Sequence, residues 1–281
     1  LVKGKKLSRK EIKQPDEFIT VTHQVIDFIM QYKVALAVTA GLIVVLIVIV
    51  TTVASYTKNT EKQAQNAIYA AMKDYYAEVK DPKAEADKEA SADKAVKANS
   101  DAVTYATASE KWQAAAKKLE DFHSRFPSSN TGKLSMLYIG NSYYELADYA
   151  KAIEWYEKFI QAVPSTHEFV LLAYNSLGYS YEQKGEYQKA IDAYKKIVDQ
   201  SKMLMDEQAY LNMGRCYEQL KAYDKAIEMY ENIKNKFPQS VKITELRDKI
   251  DLLKENLPAT DKDKAKDGSG NNAPKGDKKA S

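Results

Sequence analysis

A single cysteine, Cys216, stands among 281 residues, so no internal disulfide and no multi-cysteine metal site can form. Such usage suits either a reducing compartment or a disulfide-free oxidising one. Only three histidines are present, His23, His123 and His167, and they are scattered along the chain. No HExxH, CxxC, GxSxG or glycine-rich phosphate loop occurs. The expectation is therefore a protein that is not an enzyme and takes no metal and no cofactor, with Cys216 a small buried packer rather than a nucleophile. A surplus of charge is missing too. Forty-two basic side chains oppose 39 acidic ones, and the formal +3 that remains is too small to draw the chain to nucleic acid. What is present, 44% hydrophobic and 29% charged residues, fits one folded, well-solvated domain with extensions.

From Val34 to Ala54 no charged residue interrupts the chain. A helix of that length spans a hydrocarbon core of roughly 30 Å, and its Leu, Ile and Val residues each favour insertion. The run is too long and starts too late for a cleaved signal peptide, and no cysteine follows it to take a lipid. Residues 34–55 are read as a transmembrane helix. Lys3, Lys5, Lys6, Arg9, Lys10, Lys13 and Lys33 precede it, whereas only Lys58 and Lys62 follow closely. Basic flanks stay cytoplasmic, which puts the N-terminus in the cytoplasm and the C-terminal part across the membrane. Pro15-Asp16-Glu17 suits the first turn of a helix in which Val21, Val25, Phe28, Ile29 and Tyr32 share one side. Such a helix lies in the membrane interface, docks on a partner membrane protein, or simply continues the span.

Beyond the span one pattern recurs. Ile139-Gly140, Leu177-Gly178 and Met213-Gly214 each precede a tyrosine by three residues from the glycine, at Tyr143, Tyr181 and Tyr217. At fixed distances follow Tyr149, Ala152 and Tyr156; Tyr187, Ala190 and Tyr194; Tyr223, Ala226 and Tyr230. The glycines sit inside the first helix of each pair at a cost of about 1 kcal/mol, which implies helices too close for a side chain. The alanines serve the second helix in the same way, Tyr143, Tyr181 and Tyr217 are the large fillers, and Pro164 and Pro238 end second helices. The repeat length resembles that of the tetratricopeptide (TPR) family.

The fold class expected is all-α: a TPR helical-hairpin solenoid preceded by a single transmembrane helix. Trp112, Ala115, Leu119, Phe122 and Pro127 match the second helix of a degenerate copy, for which Ala67 to Tyr76 supplies the first helix. The run from Lys80 to Asn99 has too few large apolar residues to bury. Ser240 is positioned to cap a polar-faced terminal helix carrying Ile243, Leu246, Ile250 and Leu253. The chain divides into a cytoplasmic basic segment with an amphipathic helix (1–33), the membrane helix (34–55), the first degenerate-repeat helix with a charged linker (56–103), the solenoid with its capping helix (104–257) and a disordered tail (258–281).

In the TPR family the first helices line a groove that takes peptides or partner helices. Transferred by position, the resemblance implies a protein-binding groove of Leu134, Leu137, Asn141 and Tyr144; of Leu172, Asn175, Tyr179 and Glu182; and of Gln208, Leu211, Arg215 and Glu218. The family's variant that clamps carboxylates uses lysines and an arginine at such places, which Leu137 and Gln208 do not supply. The leucines could equally seal neighbouring repeats, whereas helix packing gives no reason for Asn141, Asn175 and Arg215.

The overall plan, and the approach Lys33-Val34-Ala35-Leu36-Ala37-Val38 to the span, resembles the YfgM-like ancillary subunits of the SecYEG translocon. That resemblance implies an inner-membrane, single-pass protein with a periplasmic C-terminal domain, contact with Sec translocon subunits or a periplasmic folding factor, and help to newly exported chains. A scaffold for outer-membrane protein or peptidoglycan assembly fits the same plan. An organelle import receptor fits it less well, because its repeats would face the cytosol against the basic flank.

Overall fold

The computed structural model describes residues 17–80, 103–201, 203 and 205–257. The basic start from Lys3 to Lys13, the charged run beyond Lys80 and the tail from Pro258 to Ser281 lie outside the described residues. The described residues fall into two units, one ending at Thr60 and one beginning at Glu61.

In the first unit, helix α1 (Glu17–Tyr75) carries the apolar run with its side chains exposed throughout. It is the one helix among the described residues long and apolar enough to cross a membrane. Two of the three threonines in that run are satisfied within the helix: Thr39 donates to the Leu36 carbonyl at 3.0 Å and Thr51 to that of Ile47 at 2.9 Å. A helix closes its own backbone hydrogen bonds, which is what a segment surrounded by hydrocarbon requires. Within α1 the backbone leaves helical geometry only at Tyr32 (φ −107°, ψ 15°), so the amphipathic segment and the span are two helical pieces joined at a kink.

In the second unit the end of α1 begins a series of helical hairpins. Ala64 and Ala71 of α1 are buried against Leu119 and Phe122 of α2 (Ala108–Arg125) and Ile139 of α3 (Asn130–Glu145). Then follow α4 (Tyr149–Ala162), α5 (Val170–Gln183), α6 (Tyr187–Gln200), α7 (Asp206–Gln219), α8 (Tyr223–Lys236) and the terminal α9 (Ile243–Glu255). Each helix packs on the next, and successive core clusters overlap along the stack, as in repeat proteins whose units bury one another. These hairpins are TPR repeats.

The glycine register has a direct steric cause. A Cβ on Gly140 would meet the Tyr156 ring at 2.5 Å, and Cβ atoms on Gly178 and Gly214 would strike the rings of Tyr194 and Tyr230. The ring of each second helix thus lies in the notch of the first, and Ala152, Ala190 and Ala226 are fully buried beside it. This corrects which tyrosines are the fillers. Tyr143 and Tyr181 instead reach the preceding repeat, donating to Glu120 at 2.8 Å and Glu157 at 2.9 Å. Lysines of the following helix cover all three outer rings, with Lys151 4.7 Å from the Tyr143 centroid, Lys189 5.5 Å from Tyr181 and Lys225 5.6 Å from Tyr217.

The hairpin turns repeat as faithfully. Ala147 (φ 58°), Gly185 (φ 73°) and Lys221 (φ 57°) are left-handed at equivalent positions. Around each, two backbone bonds close a Schellman cap; in the first, Ala147 donates to the Tyr144 carbonyl and Asp148 to that of Tyr143, both at 2.9 Å.

Two features depart from the sequence reading or extend it. Ser240 does not cap α9, whose N-cap is Lys242 without a side-chain bond. The Ser240 hydroxyl is committed to Glu207 of α7 at 2.8 Å and accepts the Lys242 N–H at 3.2 Å, a local turn that precedes the helix. At the other end, a short parallel pair, β1 (Glu78–Val79) on β2 (Thr104–Tyr105), joins the two ends of the charged run. Asp74 holds this pair to α2: it is 1% exposed, accepts from the Tyr105 hydroxyl and meets Lys118 Nζ at 2.6 Å. Burial raises its pKa, but the bonds to Lys118 and Tyr105 outweigh that, and the net effect holds it below the ordinary aspartate value.

Candidate protein-binding groove

First helices of successive repeats face one another along an inner surface. One side chain per repeat, one residue after the notch glycine, meets the side chain four residues after the previous glycine. Arg215 of α7 thus donates to Glu182 of α5 at 3.4 Å, and that glutamate also accepts from the Tyr194 hydroxyl. One junction further on, Lys249 of α9 lies 3.0 Å from Glu218, which accepts from the Tyr230 hydroxyl. Burial first, then the hydrogen bond to the carboxylate, pushes the Tyr194 and Tyr230 pKa values well above the ordinary tyrosine range. The buried hydroxyls remain donors, and each carboxylate is shared between a phenol and a cation.

The junction between α3 and α5 differs. Here the positions equivalent to Glu182 and Arg215 are Tyr144 and Tyr179, and no ion pair forms. A cavity of about 360 Å³ opens between them, closed at its sides by Tyr75 and Tyr156. Glu145 and Ser176 lie on its rim, and no basic residue lines it. Asn141 forms part of the wall, accepting from Tyr156 at 2.8 Å and donating to the Tyr75 hydroxyl at 3.2 Å. The rings are fixed by their neighbours: Tyr75 stacks edge-on to Trp112 and Tyr138, both 5.2 Å away, and Tyr144 to Tyr149 at 5.4 Å. Burial raises the Tyr144 pKa, with neighbouring Tyr149 and the charges of Glu145 and Glu182 acting in the same direction.

The expected groove residues do not share one environment. Tyr144, Tyr179 and Asn141 meet in this cavity, and Leu172, 41% exposed, lies on the same helix as Tyr179. Glu182, Arg215 and Glu218 form the ion-paired junctions, with Arg215 itself 40% exposed. Leu137 is 3% exposed and belongs to the core, a correction forced by the alanine and aromatic neighbours that close over it. Leu134 and Leu211 are half-buried against the core. Gln208 bridges Asn212 at 2.8 Å and Lys242 at 3.4 Å, joining α7 to the segment before α9.

Of the three polar residues for which packing gave no reason, Asn141 now has one, since it serves two tyrosines. Arg215 has half of one in Glu182. Only Asn175 keeps a buried carboxamide oxygen without a donor. Sequence reasoning missed Tyr75, Glu145 and Ser176. Glu145 was within reach of it, four residues after Asn141 and so on the same helical face; Tyr75 was not, because its contact crosses 66 residues of chain. Elsewhere Cys216 is fully buried, and burial with the nearby Glu182 charge raises its thiol to about 12. No cluster of His, Cys, Asp and Glu suited to a metal exists among the described residues.

Residues 92–266, the repeats and their flanks, match the outer membrane lipoprotein family YfiO. The chain belongs to this family. Among solved structures, that of MamA is 25% identical, covering 56% of this chain and 84% of that one at a TM-score of 0.45. A MamA fragment from Desulfovibrio magneticus RS-1 is 17% identical, covering 56% and 81% at a TM-score of 0.43. No curated protein matches. The TPR repeats of this YfiO-family chain are suited to protein binding, and the long apolar helix before them is suited to membrane association.

Proposed function

We propose that this chain is an inner-membrane scaffold whose repeats lie in the periplasm and hold segments of client proteins in the groove lined by α3, α5 and α7. The observation that carries this reading is the break in the junction series. Where Glu182 and Glu218 are paired by the chain itself, Tyr144, Tyr179 and Glu145 are left facing a cavity. Aromatic side chains around a concave site with a few polar groups are what peptide recognition uses. The basic flank before the span supports the orientation.

The resemblance to YfgM-like translocon subunits favours newly exported chains as clients, met beside Sec translocon subunits or a periplasmic folding factor. Membership of an outer membrane lipoprotein family favours a second reading, a scaffold in cell-envelope assembly, with outer-membrane proteins or the peptidoglycan machinery as clients. One experiment tests the groove and separates the clients. A photo-crosslinking residue is placed at Leu172, on the inner surface, and in a second strain at Lys189, on the outer surface, and the adducts are identified. Adducts specific to position 172 are expected; translocon subunits among them favour export, and envelope-assembly factors favour the second reading. Equal adducts at both positions, or a reporter fused after Ser281 that works in the cytoplasm, overturn the proposal.

A further inference from the structure

We infer that the tyrosine cavity between α3 and α5 receives the cationic side chain of a lysine or arginine carried by an extended partner segment, with Glu145 as its counter-charge. This rests on the groove reading above and names what the groove selects. Three observations on the molecule support it.

The first is size. A cavity of about 360 Å³ is at the small end of ligand sites, large enough for one long side chain and too small for a helix. The second is charge. The two junctions that follow each carry a cation of the chain's own, Arg215 beside Glu182 and Lys249 beside Glu218, whereas the α1–α3 junction, where Asn141 meets Tyr75, is uncharged. At this junction the carboxylate of Glu145 has no ion-pair partner among the described residues, Glu182 acts on Tyr144 from the next repeat, and no basic residue lines the cavity. Glu182 is answered by Arg215, which also acts on Tyr179, whereas Glu145 is the carboxylate on the cavity left without a cation. The third is the wall. Tyr75, Tyr144, Tyr156 and Tyr179 surround the space, and the negative faces of aromatic rings attract ammonium and guanidinium groups while their bodies cover the aliphatic stem. The same chain already uses this pairing on its outer surface, where Lys151, Lys189 and Lys225 lie over Tyr143, Tyr181 and Tyr217. A partner lysine or arginine would complete on the inner surface what those lysines do outside.

The test uses the full chain in detergent on an array of extended alanine-serine dodecapeptides whose two central positions carry Lys, Arg, Leu, Phe or Glu. Lys and Arg members should retain the chain about tenfold more strongly than Leu, Phe or Glu members. Glu145→Gln, an exposed change without a packing cost, should lower that retention several-fold, and Tyr144→Leu should do so as well. The control Glu255→Gln, on the exposed side of α9, should not. Equal retention of Leu, Phe, Lys and Arg peptides that Leu172→Asp weakens would keep the groove and overturn the cation. Retention that no groove variant changes would overturn both. Loss with Glu255→Gln equal to that with Glu145→Gln, or no retention by any peptide, would also overturn the inference.

Discussion

The α5–α7 junction and the α3–α5 junction occupy the same place in successive repeats and solve it oppositely. At the first, Arg215 and Tyr194 share the Glu182 carboxylate, so no carboxylate is left without a cation. At the second, Tyr144 and Tyr179 replace the ion pair, Asn141 takes over the buried phenol of Tyr156, and a cavity remains. The backbone and the glycine notch are common to both, so the difference is one of side chains on an unchanged frame. A repeat fold can thus keep its packing positions fixed while varying two surface-facing ones, and only the latter distinguish a sealed junction from a receptive one.

The largest expected effect breaks the shared frame. Gly178→Leu drives a side chain into the Tyr194 ring, where even a Cβ has no room, and should cost several kcal/mol, at or beyond the roughly 1–3 kcal/mol usual for overpacking. Thermal unfolding followed by circular dichroism would measure it; a melting temperature like that of the parent would mean that the notch is slack. Next comes the contrast between the junctions. Asn141→Ala removes hydrogen bonds to two largely buried phenols, Tyr156 and Tyr75, and should cost about 1–3 kcal/mol, whereas Arg215→Ala removes a half-exposed ion pair worth less than about 1 kcal/mol. Equal losses, or the reverse order in urea titrations, would show that the two junctions are not opposites in the way described.

A third prediction concerns the anchor at the end of the stack. Asp74 has its pKa lowered in the folded chain, so its contribution is present above the ordinary value of 3.8 and is lost as pH falls through the lowered one. Asp74→Asn should therefore destabilise the chain at pH 7 and flatten the acid limb of its stability curve below about pH 4. An unchanged acid limb would show that the ion pair with Lys118 does not form in solution. The pKa values of Glu61, bonded to Asn130 and Thr131, and Glu186, beside Lys184 and Lys189, are lowered too, so Asp74→Asn should remove a part of the acid response and not all of it.

Much of this was legible in the sequence. Periodicity exposed the notch glycines, the buried alanines and the membrane helix, because each obeys a local rule of spacing or composition. The choice between Tyr143 and Tyr156 as the ring in the notch was not legible, since both lie at helical spacings compatible with burial and only the pairing of helices decides. The role of Asn141 was hidden for a stronger reason: one of its partners, Tyr75, sits beyond the charged run. Ser240 misled because a serine before an apolar run suits a cap equally well whether or not a glutamate from α7 claims its hydroxyl.

The smallest expected effect lies in the hairpin turns and sharpens the comparison by testing what the repeats share. Three equivalent residues are left-handed, yet only Gly185 is the residue type that bears this without cost. Ala147 and Lys221 hold φ near 58° and 57° because the Schellman bonds around them and the packed helices on either side outweigh the strain. Replacing Lys221 with glycine relieves a clash worth about 1–2 kcal/mol in the folded chain but restores freedom to the unfolded one, which takes back about 0.4–1 kcal/mol. The net result should be a stabilisation of roughly 0.5–1 kcal/mol for Lys221→Gly, and of similar size for Ala147→Gly. The reciprocal Gly185→Ala should lose about as much. Melting temperatures of the three variants, compared in one buffer, check the sign. If Lys221→Gly destabilises, its side chain contributes to the turn something that the hydrogen bonds do not reveal, and the three hairpins are less alike than their backbones.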